Sequence, residues 1–405
     1  MRRNLVNWSA VLAVAVVVAL ALPAMAETAA PDPADAPKLE AEAAKPAAEA
    51  AKPATPKLAP TELAAPGGAT LKIGDTAWMK FGTNIQLWAD WNQDQATEGY
   101  IQNLYLRRMR FNVAGKVVNG VYFYFQTENA NLGKAPKALG SGFQTLDAVL
   151  EWRLDKAFNI QAGLIYLPMS REAIKGSASQ YLLDTSAYAT LATGSLQGSS
   201  NRDTGVGVRG FLADDHLEYR VLGVQGLRDS TSKYAFRYLA RLSYNFLDPE
   251  LYTVAFTAVS SSYAESNKKI LAVGATYDFQ RDYELYSADV FWSLPVGDQA
   301  KFEGTVWYQK MDGATLTTAI PKQNTFTAEA GWYFKPIKTE PFLRWERKQV
   351  STNNKLDEER YMAGLTYYVW GNGLKLKGAW QSLKFPNDTT KKKTNEFTLA
   401  MNVSY

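Results

Sequence analysis

From about residue 77 onward, large apolar residues return at every second position in one segment after another. In 397–405, for example, Phe397, Leu399, Met401 and Val403 alternate with small or polar residues. Alternation at period two gives a strand one apolar and one polar face. Tyr and Trp mark the segment ends, which a soluble sandwich would not require, whereas a transmembrane barrel has aromatic girdles on both sides of its lipid-facing band. The pattern predicts an all-β, antiparallel outer-membrane β-barrel.

The alternation yields 17 candidate strands, whereas a barrel with both ends in the periplasm needs an even number. The weakest candidate is 251–262, which ends in serines next to Lys268 and Lys269. Without it, 16 strands remain, enough for an aqueous channel. Short turns at 213–216, 247–250 and 371–373 are expected in the periplasm. Longer polar loops near 92–100, 130–142, 226–236, 311–324, 350–358 and 384–394 are expected outside.

One connection is much longer than the others. More than 30 residues separate a strand that ends near Pro168 from one that starts near Asp203. A structureless stretch of that length is usually functional. We therefore predict a loop 3 at about 169–202 that folds into the lumen and constricts it. Its charged candidates are Arg171, Glu172, Lys175 and Asp184.

The residues before the barrel have a different composition. Residues 1–26 resemble a secretory signal peptide, with Arg2 and Arg3, an apolar run too short to span a bilayer as a helix, and small residues for cleavage. Residues 27–75 are rich in Ala, Pro, Lys and Glu and contain too little apolar surface to fold. We expect a periplasmic spacer there and a porin barrel at 76–405.

The faces opposite the apolar sets carry charged residues, which the alternation places in the lumen. Predicted pore-lining residues are Arg108, Arg110, Arg209, Arg220, Arg237, Arg241, Arg344, Lys375 and Lys377. The strands near 203–246 supply mainly Arg and those between 285 and 335 mainly acids, which predicts a basic wall facing an acidic one. Walls of charge select ions in channels, and Arg suits oxyanions. The alternative is that lumen charges simply pair with each other and keep the interior wet. Arg107 breaks the alternation and is expected to snorkel at the outer interface.

Several kinds of chemistry have little support. The chain contains no Cys, which excludes disulfides, thiolate metal sites and c-type haem attachment. Its single histidine, His216, falls in a predicted turn and is interpreted as a solvated residue rather than a catalytic base. Gly205, Gly207 and Gly210 match a dinucleotide fingerprint, but lie within a period-two strand rather than before a helix. No cofactor, metal or nucleic-acid partner is expected.

An ordered set of segments resembles the phosphate-selective porin O and P family. These are Leu106-Arg107-Arg108-Met109-Arg110-Phe111, Tyr124-Phe125-Gln126, 163–172 with Pro168 and Arg171, Arg202-Asp203-Thr204-Gly205-Val206, 223–226 and Ala240-Arg241-Leu242. The resemblance covers roughly 76–405. It implies a homotrimeric, 16-stranded porin in the outer-membrane lipid, with loop 3 in the pore and a basic path for anions such as phosphate. Loop 3 departs from that pattern because it contains no dense basic cluster.

The main hypothesis is a passive outer-membrane porin for small hydrophilic solutes, with a preference for anions. A second hypothesis is a scaffold barrel that sheathes a partner such as an outer-membrane cytochrome. A third and weaker one is a barrel hydrolase that uses His216.

Overall fold

The computed structural model describes residues 69–405 apart from 136, 138, 141, 197, 199, 230, 231, 234 and 251–257. The predicted signal peptide and most of the predicted spacer lie outside the described residues. No helix among the residues described is long and apolar enough to cross a membrane.

The described residues form one antiparallel sheet. Its strands are β1 (Thr70–Ile73), β2 (Ala77–Gln93), β3 (Tyr100–Val118), β4 (Val121–Glu128), β5 (Gln144–Arg153), β6 (Asn159–Tyr166), β7 (Arg202–Leu212), β8 (Leu217–Val224), β9 (Arg237–Asn245), β10 (Ile270–Gln280), β11 (Tyr283–Val296), β12 (Ala300–Asp312), β13 (Gln323–Phe334), β14 (Thr339–Val350), β15 (Glu358–Trp370), β16 (Leu374–Lys384) and β17 (Thr394–Ser404).

Pairing of β17 with β2, and of each strand from β2 to β17 with the next, closes the sheet into a barrel. The short β1 pairs with the start of β2. It lies within the segment that composition assigned to the spacer. The barrel wall therefore has 16 strands, which confirms the predicted all-β fold. Strands β9 and β10 pair directly, so 251–262 is not a wall strand; its first seven residues lie outside the described residues.

The predicted apolar faces point outward along most strands, with Leu150, Leu343 and Leu365 exposed on the barrel surface. Strand β3 is an exception because its register slips by one residue where Gln86 pairs with Arg108 and Leu87 pairs with Leu106. Arg107 is the extra residue of this β-bulge. Tyr105, two residues before Arg107, is consequently buried inside.

The bulge also overturns the expectation that Arg107 snorkels at the outer interface. Its guanidinium lies inside and binds Asp184 of loop 3 at 2.7 Å. A bulge re-aims side chains at one point of a strand. Here it allows Arg107, Arg108 and Arg110 to reach the lumen together.

Two connections fill much of the lumen. Loop 3, defined here as 167–201, contains the 3₁₀ turns Glu172–Ile174 and Ala187–Thr190 and the short helix α1 (Leu191–Ser195), and most of its described residues are buried. The connection from β9 to β10 is called the 246–269 connection. It starts at the end of the barrel where the short turns lie. Its Val259 bridges to Lys175 of loop 3. The expected short turn at 247–250 is wrong, because β9 and β10 pair directly across a much longer connection and Glu250 binds Arg171 of loop 3.

Candidate functional site

Two cavities lie between loop 3 and the wall formed by β2 to β7. The outer cavity has a volume of about 320 Å³ and reaches Asn131 in the long loop after β4. The inner cavity, also of about 320 Å³, reaches Asn372 in a short turn and Tyr405 beyond β17. One cavity therefore lies toward the extracellular end and the other toward the periplasmic end.

Both cavities are lined by Arg110, Tyr166, Ser177 and Arg202, so these four residues lie where the two cavities meet. Arg110 donates through Nη1 to the Ser177 hydroxyl at 2.7 Å and thereby joins β3 to loop 3. Its Nε donates to Glu128 at 2.7 Å. This contact makes the junction between the two cavities the candidate constriction.

Arg202 forms the other side of the constriction. Its guanidinium carbon lies 3.5 Å from the centroid of the Tyr166 ring, and its Nε and Nη2 donate to the two Asp147 carboxylate oxygens at 2.8 and 3.1 Å. Stacking and a bidentate pair fix a planar guanidinium more firmly than either contact alone. Arg202 is thus held as a rigid part of the wall.

The outer cavity is lined by more basic than acidic side chains. Its basic residues are Arg107, Arg108, Arg110, Lys175 and Arg202, and its carboxylates are Glu128 and Asp184. Behind this lining, Asp147 pairs with Arg202, and Glu172 and Glu329 each pair with both Lys175 and Arg344. The electrostatic surplus is therefore positive but small.

Asp184 of loop 3 is the acidic residue nearest to the Arg run of β3. It accepts from Arg107 Nη2 at 2.7 Å and from Arg108 Nη2 at 2.6 Å. Burial raises the pKa of the Asp184 carboxyl, but the two guanidinium charges outweigh burial and hold the pKa below its usual range. Asp184 therefore stays ionised and docks loop 3 on β3.

The other predicted constriction-loop residues anchor loop 3 to the opposite wall. Arg171 binds both carboxylate oxygens of Glu250, at 2.5 and 2.6 Å, and lies over the Phe291 ring. Lys175 pairs with Glu172 at 2.6 Å and with Glu329. Of these three charged residues, Lys175 lines the outer cavity; Arg171 and Glu172 line neither cavity.

Two predicted pore-lining lysines hold loop 3 by its backbone. Lys375 Nζ donates to the carbonyl oxygens of Ala178 and Gln180 at 2.7 and 2.9 Å. Lys377 Nζ donates to those of Gln180 and Leu182 at 2.8 and 2.6 Å. Both lysines are buried beneath the loop, so their charge does not border the two cavities.

The remaining predicted arginines are buried inside the barrel and paired. Arg237 binds Asp278, Arg241 binds Asp289, and Arg344 binds Glu329 and, at 3.5 Å, Glu172; Arg209 and Arg220 share Glu218. Because β9 is next to β10 and near β11, the arginines of β9 neutralise the acids of those strands. The expected basic wall facing an acidic one is therefore not present. Of the predicted pore-lining set, Arg110 lines both cavities and Arg108 lines the outer one.

Arg107, Tyr166, Ser177 and Arg202 were not predicted to line the pore. The run of three arginines within four residues on β3 carried a signal for Arg107, since strict alternation cannot turn Arg107, Arg108 and Arg110 the same way without a bulge. Arg202 is the first residue after loop 3, and its position was part of the family resemblance. Nothing in the sequence pattern distinguished Ser177 from the other hydroxylated residues of the loop.

The motifs set aside on sequence grounds have structural roles. His216 lies in the turn after β7, where its Nδ1 is 2.5 Å from the Asn245 carbonyl oxygen. Gly205, Gly207 and Gly210 lie within β7, where a Cβ would come within 2.7 Å or less of a carbonyl oxygen of a neighbouring segment. Close strand packing, as expected, therefore explains these glycines. Among the described residues, no group of three or more His, Asp or Glu side chains is placed to hold a metal ion.

The sequence matches the model of the phosphate-selective porin O and P family over residues 80–316. No curated protein matches it. Similar solved structures include the anion-selective porin from Comamonas acidovorans, at 11% identity and a TM-score of 0.58, covering 81% of this chain and 100% of that chain. The outer membrane channel DcaP of Acinetobacter baumannii is similar at 12% identity and a TM-score of 0.55, covering 83% and 99%. The trimer form of OmpT from Vibrio cholerae is similar at 12% identity and a TM-score of 0.51, covering 82% and 100%. At these identities the likeness concerns the fold.

Proposed function

Because the chain belongs to the phosphate-selective porin O and P family and is an outer-membrane porin, we propose that solutes cross it along β2 to β7. The route runs through the outer cavity, past Arg110 and Arg202, and into the inner cavity. Transport is passive and follows the concentration gradient. The solutes are small and hydrophilic, and anions such as phosphate are favoured over cations.

The observation that supports an anion preference is the arginine run of β3 at the entrance to the narrow region. Arg107, Arg108 and Arg110 all line the outer cavity, and Arg110 and Arg202 line both cavities. Their partners Asp184, Glu128 and Asp147 cancel three of the four charges. A unit charge about 10 Å away in water changes the energy of a monovalent ion by roughly 0.4 kcal/mol, or about twofold in concentration. We therefore expect a mild preference.

Reversal potentials in gradients of potassium chloride and potassium phosphate test this proposal in planar bilayers. The wild type should favour the anion, and Arg108→Gln combined with Arg110→Gln should lower the anion-to-cation permeability ratio severalfold. Arg220→Gln is the matched control, because Arg220 is an inward arginine that lines neither cavity and its partner Glu218 keeps Arg209. Cation preference in the wild type, or equal effects of the pair and the control, would contradict the proposed route.

The scaffold and hydrolase alternatives have less support. Loop 3 and the described residues of the 246–269 connection occupy much of the lumen, which leaves little volume for a partner polypeptide. His216 lies in a turn with its Nδ1 against a backbone carbonyl, and family and fold both indicate a channel rather than an enzyme.

We also propose a homotrimer, which the family and the trimeric form of a similar solved structure support. Chemical cross-linking in outer-membrane vesicles should give a species of three chains that dissociates on heating. A cross-linked ladder that ends at two chains would contradict it.

A further inference from the structure

The inner cavity differs from the outer one in the chemistry of its lining. It contains the charged residues Arg110, Arg202 and Asp147, and seven neutral side chains that are able to form hydrogen bonds. These are Thr83, Asn84, Asn112, Gln126, Ser177, Asn372 and Ser404. Three tyrosines, Tyr124, Tyr166 and Tyr405, and four Gly or Ala residues complete the lining.

The amides of this cavity form a continuous patch beside Arg110. Asn84 pairs directly with Arg110 across β2 and β3, and Asn112 pairs with Gln126 across β3 and β4. Arg110 and Asn112 are two residues apart on the same face of β3, or roughly 7 Å. An anionic group at Arg110 would therefore leave the rest of a small molecule within reach of the amides.

Asn84 has an amide atom without a partner. Its Nδ2 donates to the Ser404 hydroxyl at 2.9 Å, whereas its Oδ1 finds no partner among the described residues, although the side chain is only 5% exposed. A buried polar atom left unsatisfied is unfavourable, so the site favours a molecule that completes the bond. A hydroxyl can donate or accept and so suits either end of an amide, whereas chloride can only accept.

From these features we infer that the inner cavity is a binding subsite for hydroxylated organic anions, such as sugar acids, on their way through the channel. The carboxylate lies at Arg110 and Arg202, and the hydroxyls bond to Asn84, Asn112 and Gln126. The cavity volume of about 320 Å³ is within the range of small-molecule sites. This inference rests on the proposed function, because it uses the same route and the same arginines.

The test compares glucuronate with cyclohexanecarboxylate, since both carry one negative charge on a six-membered ring and they differ in their hydroxyls. Permeability ratios come from reversal potentials with one anion on each side of a planar bilayer. We expect the wild type to favour glucuronate, and Asn84→Leu or Gln126→Leu to reduce that ratio by about fivefold, the contribution of one hydrogen bond. Gln309→Leu, on the lumen face of β12 and outside both cavities, should leave it unchanged.

Potassium chloride gradients on the same channels separate this inference from the proposed function. An anion-selective wild type with equal permeability to the two ring anions would overturn the subsite and leave the porin proposal intact. So would variants at Asn84 and Gln126 that fold, as judged by heat-modifiable gel mobility, and keep the wild-type ratio. Preference for potassium over chloride would instead reject the proposed function itself.

Discussion

Arginines that face the inside of the barrel have different roles on its two sides. On the β2 to β7 side, Arg110 borders both cavities and contacts loop 3 through one serine. On the other side, Arg237 is fully buried, binds both oxygens of Asp278 at 2.8 and 2.5 Å, and lies over the Tyr283 ring. A charged residue that faces the inside of the barrel therefore lines the pore only where the interior stays open. The path of loop 3 determines which part of the interior stays open.

The largest expected effect is the difference in barrel stability between a variant of Arg237 and a variant of Arg110. Arg237→Gln should destabilise the barrel by about 3–5 kcal/mol, because Asp278 is left buried with Tyr283 as its remaining partner. Arg110→Gln should cost only about 1 kcal/mol, since Glu128 keeps Arg108 within 3.9 Å and faces a cavity that water can enter. Urea unfolding from lipid vesicles, followed by tryptophan fluorescence, measures both. If the two variants lose the same free energy of unfolding, the arginines of the open and the filled side do not differ in their contribution to stability.

An effect of intermediate size is expected from loosening loop 3 on the filled side. Lys375→Met with Lys377→Met removes four hydrogen bonds from the two ammonium groups to the loop backbone, but it also removes the cost of burying both charges, so the net loss of stability is smaller than for Arg237→Gln. The loop should then move, and single-channel conductance and current noise should rise while the sign of the ion preference persists. Lys384→Met is the control, because Lys384 lies on the same strand with its ammonium over Tyr361. Unchanged conductance in the double variant would mean that apolar packing alone holds the loop.

Much of the fold could be predicted from the sequence, because lipid outside and water inside impose the same period on every wall strand. The 16-strand count, the lumen facing of Arg108 and Arg110 and the position of loop 3 all follow from that period. Single departures from it could not be predicted. Arg107 reaches the lumen through one extra residue in β3, which also turns Tyr105 inward.

The candidate site was harder to predict than the barrel because it depends on contacts between segments far apart in sequence. Alternation assigns Arg110 and Lys377 to the same face, but whether loop 3 covers a residue is set by tertiary packing. Lys377 meets Leu182 across 195 positions of the chain. Residues 247–250 were predicted as a short turn because the contact of Glu250 with Arg171 of loop 3 has no local signature in the sequence.

The smallest expected effect concerns pH and the docking of loop 3 on the open side. The pKa of Asp184 lies below its ordinary 3.8, since Arg107 and Arg108 outweigh the opposing effect of burial. A depressed pKa means that the contribution of the ionised carboxylate to docking is fully present above pH 3.8 and is lost as the pH falls through the lowered value. Asp184 therefore should not change the permeability ratio between pH 7 and pH 5. Asp184→Asn at pH 7 removes one negative charge from the outer cavity and should raise the anion preference by about twofold. Recording wild type and Asp184→Asn at both pH values cancels the contribution of other carboxylates. If the difference between the two channels disappears at pH 5, Asp184 titrates in that interval, and its pairing with the arginines is weaker than the distances indicate.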